Sequence, residues 1–250
     1  MQALYTAKLG LQAQQQRLSI IGNNIANSQT IAYKGQRADF KEALYTAMID
    51  PANTQSTVNL QQGTGTLVSS TPRNFTLGEP EMTGYALDFF IDGDGFFTVS
   101  DGNGGYMYTR SGNFTVSGEA DGAYMTTPSG QYVMDINMNR IKLPADVSSV
   151  KLSPEGVLSA DGVTLGTLNL VDFPNKDGLL LQGEGCYIES ASSGAAVEST
   201  AIVRQGVLEA SNVDLSVETT RMIRAQRAFT LASRAVSAWN DMTEKAYNLR

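Results

Sequence analysis

The 250-residue sequence contains no histidine, one cysteine and one tryptophan. Each scarcity removes a class of chemistry. Without histidine or a cysteine cluster the usual zinc and copper ligand sets are missing. Ser–His and Cys–His nucleophilic pairs fall on the same ground. Cys186 is alone, so no disulfide can close within the chain. No apolar run approaches the ~20 residues that span a bilayer, which predicts no membrane insertion. Residues 1–10 are mixed and 12–17 polar, so no secretory leader is expected.

What is present is organised by position. The formal net charge is −7, unevenly spread. Residues 1–45 carry five basic and two acidic side chains and residues 213–250 carry six and four, leaving seven basic against nineteen acidic in 46–212. The two ends share a sign and the middle opposes it. This points to termini that fold together around an inserted middle domain. A chain of this length buries roughly 70–75% of the surface it exposes when unfolded, enough for one large domain or two small ones.

Periodicity separates the same regions. Leu4, Ala7, Leu11, Leu18, Ile21 and Ile25 step by heptad intervals, with Gln14 the one polar occupant of the row. A helix over residues 4–26 would carry one narrow apolar seam and need a partner helix. Gly22-Asn23-Asn24 is expected to end or bend it, one of the three holding a positive φ. A short second helix is expected over residues 37–48, with Phe40, Leu44 and Met48 on one face. Residues 49–85, rich in Gln, Thr, Ser and Asn, read as an extended connecting segment with strand-like stretches at 66–68 and 74–77. From 86 the period changes to two and Gly-rich turns come close together, DGDG at 92–95 and Asp161-Gly162 among them, which predicts an inserted all-β domain over 86–205. The last stretch returns to helical spacing. Leu215, Met222, Ala225, Phe229, Ala232, Val236, Trp239 and Ala246 form a second seam, with Asn212 or Asp214 as N-cap. The expected fold class is therefore α+β: a discontinuous, coiled-coil-like helical domain from 1–48 and 206–250, with the all-β domain inserted.

Candidate chemistry is sparse. Asp88, Asp92, Asp94 and Asp101 suggest calcium, but the twelfth position of an EF-hand loop counted from Asp92 is Asn103 rather than Glu. These aspartates fit hairpin turns. Gly93 and Gly95 lack the spacing of a nucleotide loop. The arginines of the last helix, on a chain of pI near 4.7, make a poor nucleic-acid footprint. No catalytic residue, metal or cofactor is expected.

The residues GNNIANSQTIAYK at 22–34 resemble the N-terminal signature of the bacterial flagellar axial proteins, the rod and hook subunits. Blocks at 87–97 (LDFFIDGDGFF) and 108–114 (YTRSGNF) are similar to the same family. The stretch 183–190 (GEGCYIES) looks closer to the distal rod members than to the hook. Residues 205–213 (QGVLEASNV) and 222–229 (MIRAQRAF) match the family's C-terminal pattern, so the likeness spans nearly the whole chain. It implies a structural rod subunit, not an enzyme, that assembles into a helical tubular drive shaft and transmits torque to the hook. Terminal helices would stack in the inner tube with the β domain outside, and 50–86 would pack between neighbours. The implied interface residues are Leu11, Leu18, Ile21, Gly22, Asn23, Asn24, Ile25, Ala26, Asn27, Asn212, Met222, Gln226, Arg227, Phe229, Val236 and Trp239. The implied partners are copies of itself, other rod and hook subunits, the bushing ring proteins and the flagellar type III export apparatus. The implied location is the periplasm-spanning rod, reached without a cleaved signal peptide. Alternatives are a proximal rod or hook-type subunit, and a non-flagellar β-domain binding module.

Overall fold

The computed structural model describes residues 2–47, 61–102, 104–119, 121–144 and 147–248. It divides into two compact units, one made of Met1–Ala26, Gln36–Asn74 and Asp214–Arg250, the other of Asn27–Gly35 and Phe75–Val213. Helix, β-rich middle and helix follow one another along the chain, an α+β order.

In the first unit, helix α1 spans Gln2–Ala26. It runs unbroken through Gly22-Asn23-Asn24. None of the three has a positive φ, so the expected bend does not occur there. A second finding also departs from the sequence reading. Where a helix was expected over 37–48, the chain forms strands β1 (Asp39–Glu42) and β2 (Tyr45–Ala47); Met48 lies outside the described residues. They pair antiparallel with β4 (Thr66–Ser70) and β3 (Gln61–Gly63) respectively. Bonds from Arg37 N–H to Pro72 C=O at 3.0 Å and from Ala43 N–H to Gly65 C=O at 2.8 Å extend the ribbon. The apolar residues at helical spacing have no core to face, since Phe40 is exposed and Leu44 is 89% exposed. Backbone groups are satisfied by the facing strand instead, and tertiary pairing overrides a weak local preference.

The ribbon lies along α1. Arg17 sits over the Phe40 ring at 5.9 Å, and a Cβ on Gly65 would touch Leu9 at 3.4 Å. This explains Ala13, which is buried although it stands off the expected seam. Helix α2 spans Leu215–Asn248, about 51 Å at 1.5 Å per residue, and packs against α1. Asp214 is its cap: Oδ1 accepts the Ser216 and Val217 N–H groups at 2.8 and 3.1 Å.

The second unit is built of short strands. Strands β5 (Pro80–Met82) and β6 (Phe89–Asp92) precede the central β7 (Phe96–Ser100) and β8 (Tyr106–Thr109). Next come β9 (Thr115–Glu119), β10 (Gly122–Thr126), β11 (Tyr132–Val133) and β12 (Lys142–Leu143). A three-strand meander follows, β13 (Val150–Leu152), β14 (Val157–Ala160) and β15 (Val163–Thr167). The unit ends with β16 (Leu170–Asp172), β17 (Leu180–Gly183), β18 (Cys186–Ile188), β19 (Val197–Glu198), β20 (Ile202–Gln205) and β21 (Val207–Glu209). The main sheet runs β12-β10-β11-β7-β8-β18-β17, with β9 on β10 and β16 joining β7 to β19. The turn between β14 and β15 is the Asp161-Gly162 pair, both residues at positive φ (52° and 79°), the geometry a tight hairpin demands.

β7 is buried along its whole length because it separates two clusters. Phe97 and Val99 join the main core with Phe89, Ile91, Met125 and Leu158, whereas Phe96 joins an aromatic cluster with Tyr108, Phe173 and Tyr187. Two late strands close the unit by pairing with early ones: β20 on β6 and β21 on β5. Backbones approach closely at Gly112, where an added Cβ would lie 1.8 Å from the Phe89 carbonyl oxygen.

Gly112→Ala is therefore expected to destabilise this unit by about 1–3 kcal/mol. Gly118→Ala, where nothing lies within 4 Å, should be close to neutral. Denaturant unfolding of the two variants side by side checks this.

Candidate functional site

Most of the interface residues expected from the sequence lie on the two helices. On α2 the positions sheltered from solvent, among the described residues, are Glu218, Met222, Ala225, Phe229, Ala232, Val236 and Trp239, with Ala228 beside them. The first seven step alternately by four and three, the spacing of a stripe facing one neighbour. Gln226 and Arg227 are exposed. On α1, Ile21 is buried, Leu11, Leu18 and Ile25 are half-buried, and Asn23 and Ala26 are exposed. Gly22 is half-buried with open space where a Cβ would stand.

Asn24 is placed differently from the expectation. It is 2% exposed, and its amide grips the backbone of Gln36 at both ends. Nδ2 donates to the Gln36 carbonyl at 2.8 Å and Oδ1 accepts the Gln36 N–H at 2.9 Å. The side chain thus imitates a paired strand and fixes the start of the β ribbon on α1. Its value lies in the amide, not in tolerance of a left-handed backbone.

In the β unit, Asn27 and Thr30 close the turn that follows α1, through Thr30 N–H to Asn27 C=O at 3.1 Å and Thr30 Oγ1 to Asn27 Oδ1 at 3.1 Å. Asn212 is not the helix cap. Its Oδ1 accepts the Gly35 N–H at 2.9 Å, its Nδ2 donates to Thr76 O at 3.1 Å, and its own N–H reaches the Tyr33 carbonyl at 3.3 Å. It ties the incoming and outgoing chain together.

Beside it lies a buried cluster that sequence reasoning missed. Glu209, at the end of β21, takes Lys34 Nζ (2.5 Å) and the Gly78 N–H (2.8 Å) on Oε1, and Arg110 Nε (3.1 Å) on Oε2. Side-chain exposures are 0% for Lys34, 2% for Glu209 and 3% for Arg110. Lys34 also donates to Thr76 O at 2.8 Å, and Arg110 to the carbonyls of Gly95 and Gly93, both at 2.9 Å. One carboxylate thus serves two cations. Burial works to raise the Glu209 carboxyl, but Arg110, Lys34 and the Gly78 N–H together hold it below the usual glutamate range. Burial, with the Arg110 charge beside it, lowers the Lys34 ammonium by more than Glu209 and Asp94 together raise it. The available signals were a lone acid in the apolar stretch Val207-Leu208-Glu209 and a lysine inside an otherwise uncharged signature. Neither names its partner.

The aspartates that suggested calcium are structural. Asp88 accepts from Thr83 Oγ1, Asp94 pairs with Lys176 at 2.6 Å and Asp101 accepts the Gly105 N–H at 3.1 Å.

Comparison with known proteins bears on the same three segments. Residues 4–34 match the flagella basal body rod protein model, residues 90–160 the flagellar hook protein FlgE/F/G D1 domain, and residues 204–249 the flagellar basal body rod FlgEFG protein C-terminal model. The flagellar basal-body rod protein FlgG of Caulobacter vibrioides is 34% identical over 269 residues, covering 100% of both chains. FlgG of Bacillus subtilis is 32% identical over 266 residues, covering 100% of this chain and 99% of its own. The chain belongs to the flagellar basal-body rod protein family. Within it, similarity extends to FlgF of Caulobacter vibrioides, at 30% over 247 residues. The geometry gives the family match a physical meaning. Lys34 ends the first matched segment, Arg110 lies in the second and Glu209 in the third, so all three converge on one buried carboxylate.

Two outcomes follow. Asn24→Gly should be as damaging as Asn24→Val, about 1–3 kcal/mol, because each strands the Gln36 N–H and C=O. Gln12→Val, at an exposed position, should be mild; thermal unfolding followed by far-UV circular dichroism compares the three. For the β unit, a carboxyl held below its unfolded value stabilises above that value, about 4.3, and ceases to as pH falls through the folded one. Stability measured by urea titration should hold down to about pH 5 and then drop, and Glu209→Gln should flatten that acid limb while lowering the neutral-pH plateau by about 3–5 kcal/mol.

Proposed function

We propose that this rod subunit works by assembly rather than catalysis, with the helical unit as its assembly domain and the β unit as its outer layer. α1 and α2 pack in a coiled-coil-like manner along Leu11, Leu18, Ile21 and Ile25 on one side and Met222, Phe229, Val236 and Trp239 on the other. The observation that carries this reading is what the pair leaves uncovered. Leu215, expected at the start of the seam, is exposed, and off the seam α2 also exposes Val217, Ile223, Leu231 (66%) and Met242 (60%). Apolar surface of that extent on a long helix calls for further helices. A head-to-tail contact that does not close builds a helical filament.

In this reading copies stack on one another and on other rod and hook subunits, forming a distal-type drive shaft that passes torque to the hook. Gly22, Asn23, Ala26, Gln226 and Arg227, exposed or lacking a side chain, are the surface through which copies meet. The stretch 61–85 packs between neighbours, the bushing ring proteins are outer contacts, and the flagellar type III export apparatus delivers the chain. The likeness to FlgF supports a second reading, a different station along the same rod.

Phe229→Ala tests the assembly reading. Phe229 is half-buried, so its truncation costs less than the roughly 3–5 kcal/mol of a fully buried aromatic, but the loss repeats in every subunit of a polymer. Light scattering should show long particles for the wild-type chain at high concentration and none for the variant, with the β unit's melting temperature unchanged. Normal polymerisation of the variant would remove the seam from the assembly contact.

A further inference from the structure

The segment Asn27–Gly35 leaves α1 and lies on the β unit without forming a strand. Its apolar anchorage is thin. Ala32 is buried, Ile31 and Tyr33 are half-buried, and none of them joins either hydrophobic cluster. Its polar anchorage is dense and converges on the C-terminal segment. The Ala32 N–H donates to the Glu209 carbonyl at 2.7 Å, Lys34 to the Glu209 carboxylate, and Gly35 to Asn212.

We propose that Asn27–Gly35 is a releasable strap on the β unit, latched by the Glu209 carboxylate. One carboxylate contacts two cations, so loss of its charge leaves both buried with only the more distant Asp94, itself paired with Lys176, to offset them. They do not respond alike. Arg110 keeps its two carbonyl acceptors on Gly93 and Gly95, whereas Lys34 keeps Thr76 O and hangs on a short, weakly packed segment. Rehydrating Lys34 is the easier escape, and it takes the strap with it. The core around Phe97 and Leu158 is built without the strap and stays closed. The charged and titratable groups that bear on the latch are Lys34 from the strap, Arg110 from the end of β8, and Asp94 between β6 and β7, itself paired with Lys176; the Gly78 N–H also faces the carboxylate. Release would free the stretch that joins α1 to the β unit and break the Asn212 tie between the two chain passages.

Hydrogen exchange on the full-length chain tests this, with the Ala32 and Gly35 amides reporting the strap and the β7–β8 ladder reporting the core. In Glu209→Gln the strap amides should exchange faster by on the order of a hundredfold, the change that losing a buried pair implies, while the β7–β8 amides, which lose only the variant's drop in global stability, remain far better protected than the strap. Acidifying the wild-type chain below about pH 4 should release the strap before the core. Combining Lys34→Met with Glu209→Gln should restore strap protection, since no strap cation is then left unpaired, and this double variant decides the matter if Glu209→Gln alone does not fold. Strap amides that stay protected in Glu209→Gln overturn the proposal. So does loss of strap and core protection together in the double variant, or a strap that stays exposed in it.

Discussion

One buried carboxylate pins the entry and exit of the chain on the β unit. Glu209 arrives late in the chain, on β21, and neutralises two cations that precede it by 175 and 99 residues. Neither Lys34 nor Arg110 could leave water without it, because desolvating an unpaired charge is far more expensive than anything the surrounding packing returns. Around this point the chain passages into and out of the β unit are pinned. The backbone of Glu209 receives Ala32, its side chain receives Gly78, and Asn212 three residues on receives Gly35. At Gly78 a Cβ would lie 2.0 Å from the Ala210 carbonyl oxygen, so a glycine is what lets the two backbones come close enough for the cluster to form.

A second constraint acts in the helical unit. α1 serves two neighbours at once, α2 along one face and the β ribbon along another. Its composition suits that division. The helix contains no acidic residue, and its glutamines and small residues leave room on the ribbon side. The amide of Asn24 begins the ribbon by supplying both hydrogen bonds a facing strand would have supplied. Polar side chains buried against backbone do here what apolar packing does on the seam, and with greater positional specificity.

These two devices connect structure to role. In the proposed reading the helices meet neighbouring subunits while the β unit stays closed around the entry and exit of its own chain. The α2 surface left apolar after pairing with α1 provides the first. The convergence of three family-matched segments on Glu209 provides the second, by anchoring the residues that follow α1 and precede α2 to the same place on the β unit.

Much of the architecture was legible because it is local. Heptad spacing marked α1 and the α2 stripe, alternation with Gly-rich turns marked the β-rich middle, and Asp161-Gly162 marked its hairpin, since each pattern repeats within the reach of one or two turns of chain. The same local logic misled at residues 37–48, where apolar residues four apart suggested a helix. Whether they had a core to face depended on a strand some twenty-five residues away. It misled at Asn24 as well, where residue type suggested a backbone conformation and the side chain's distant partner decided its purpose. Composition and periodicity by themselves determined the succession of helix, β-rich middle and helix, and the stripe of α2 that turns to a neighbour. Only the tertiary structure decided which charges are buried and what holds them, because an ion pair's worth depends on removal from water, and partners 175 residues apart leave no spacing in the sequence to be read.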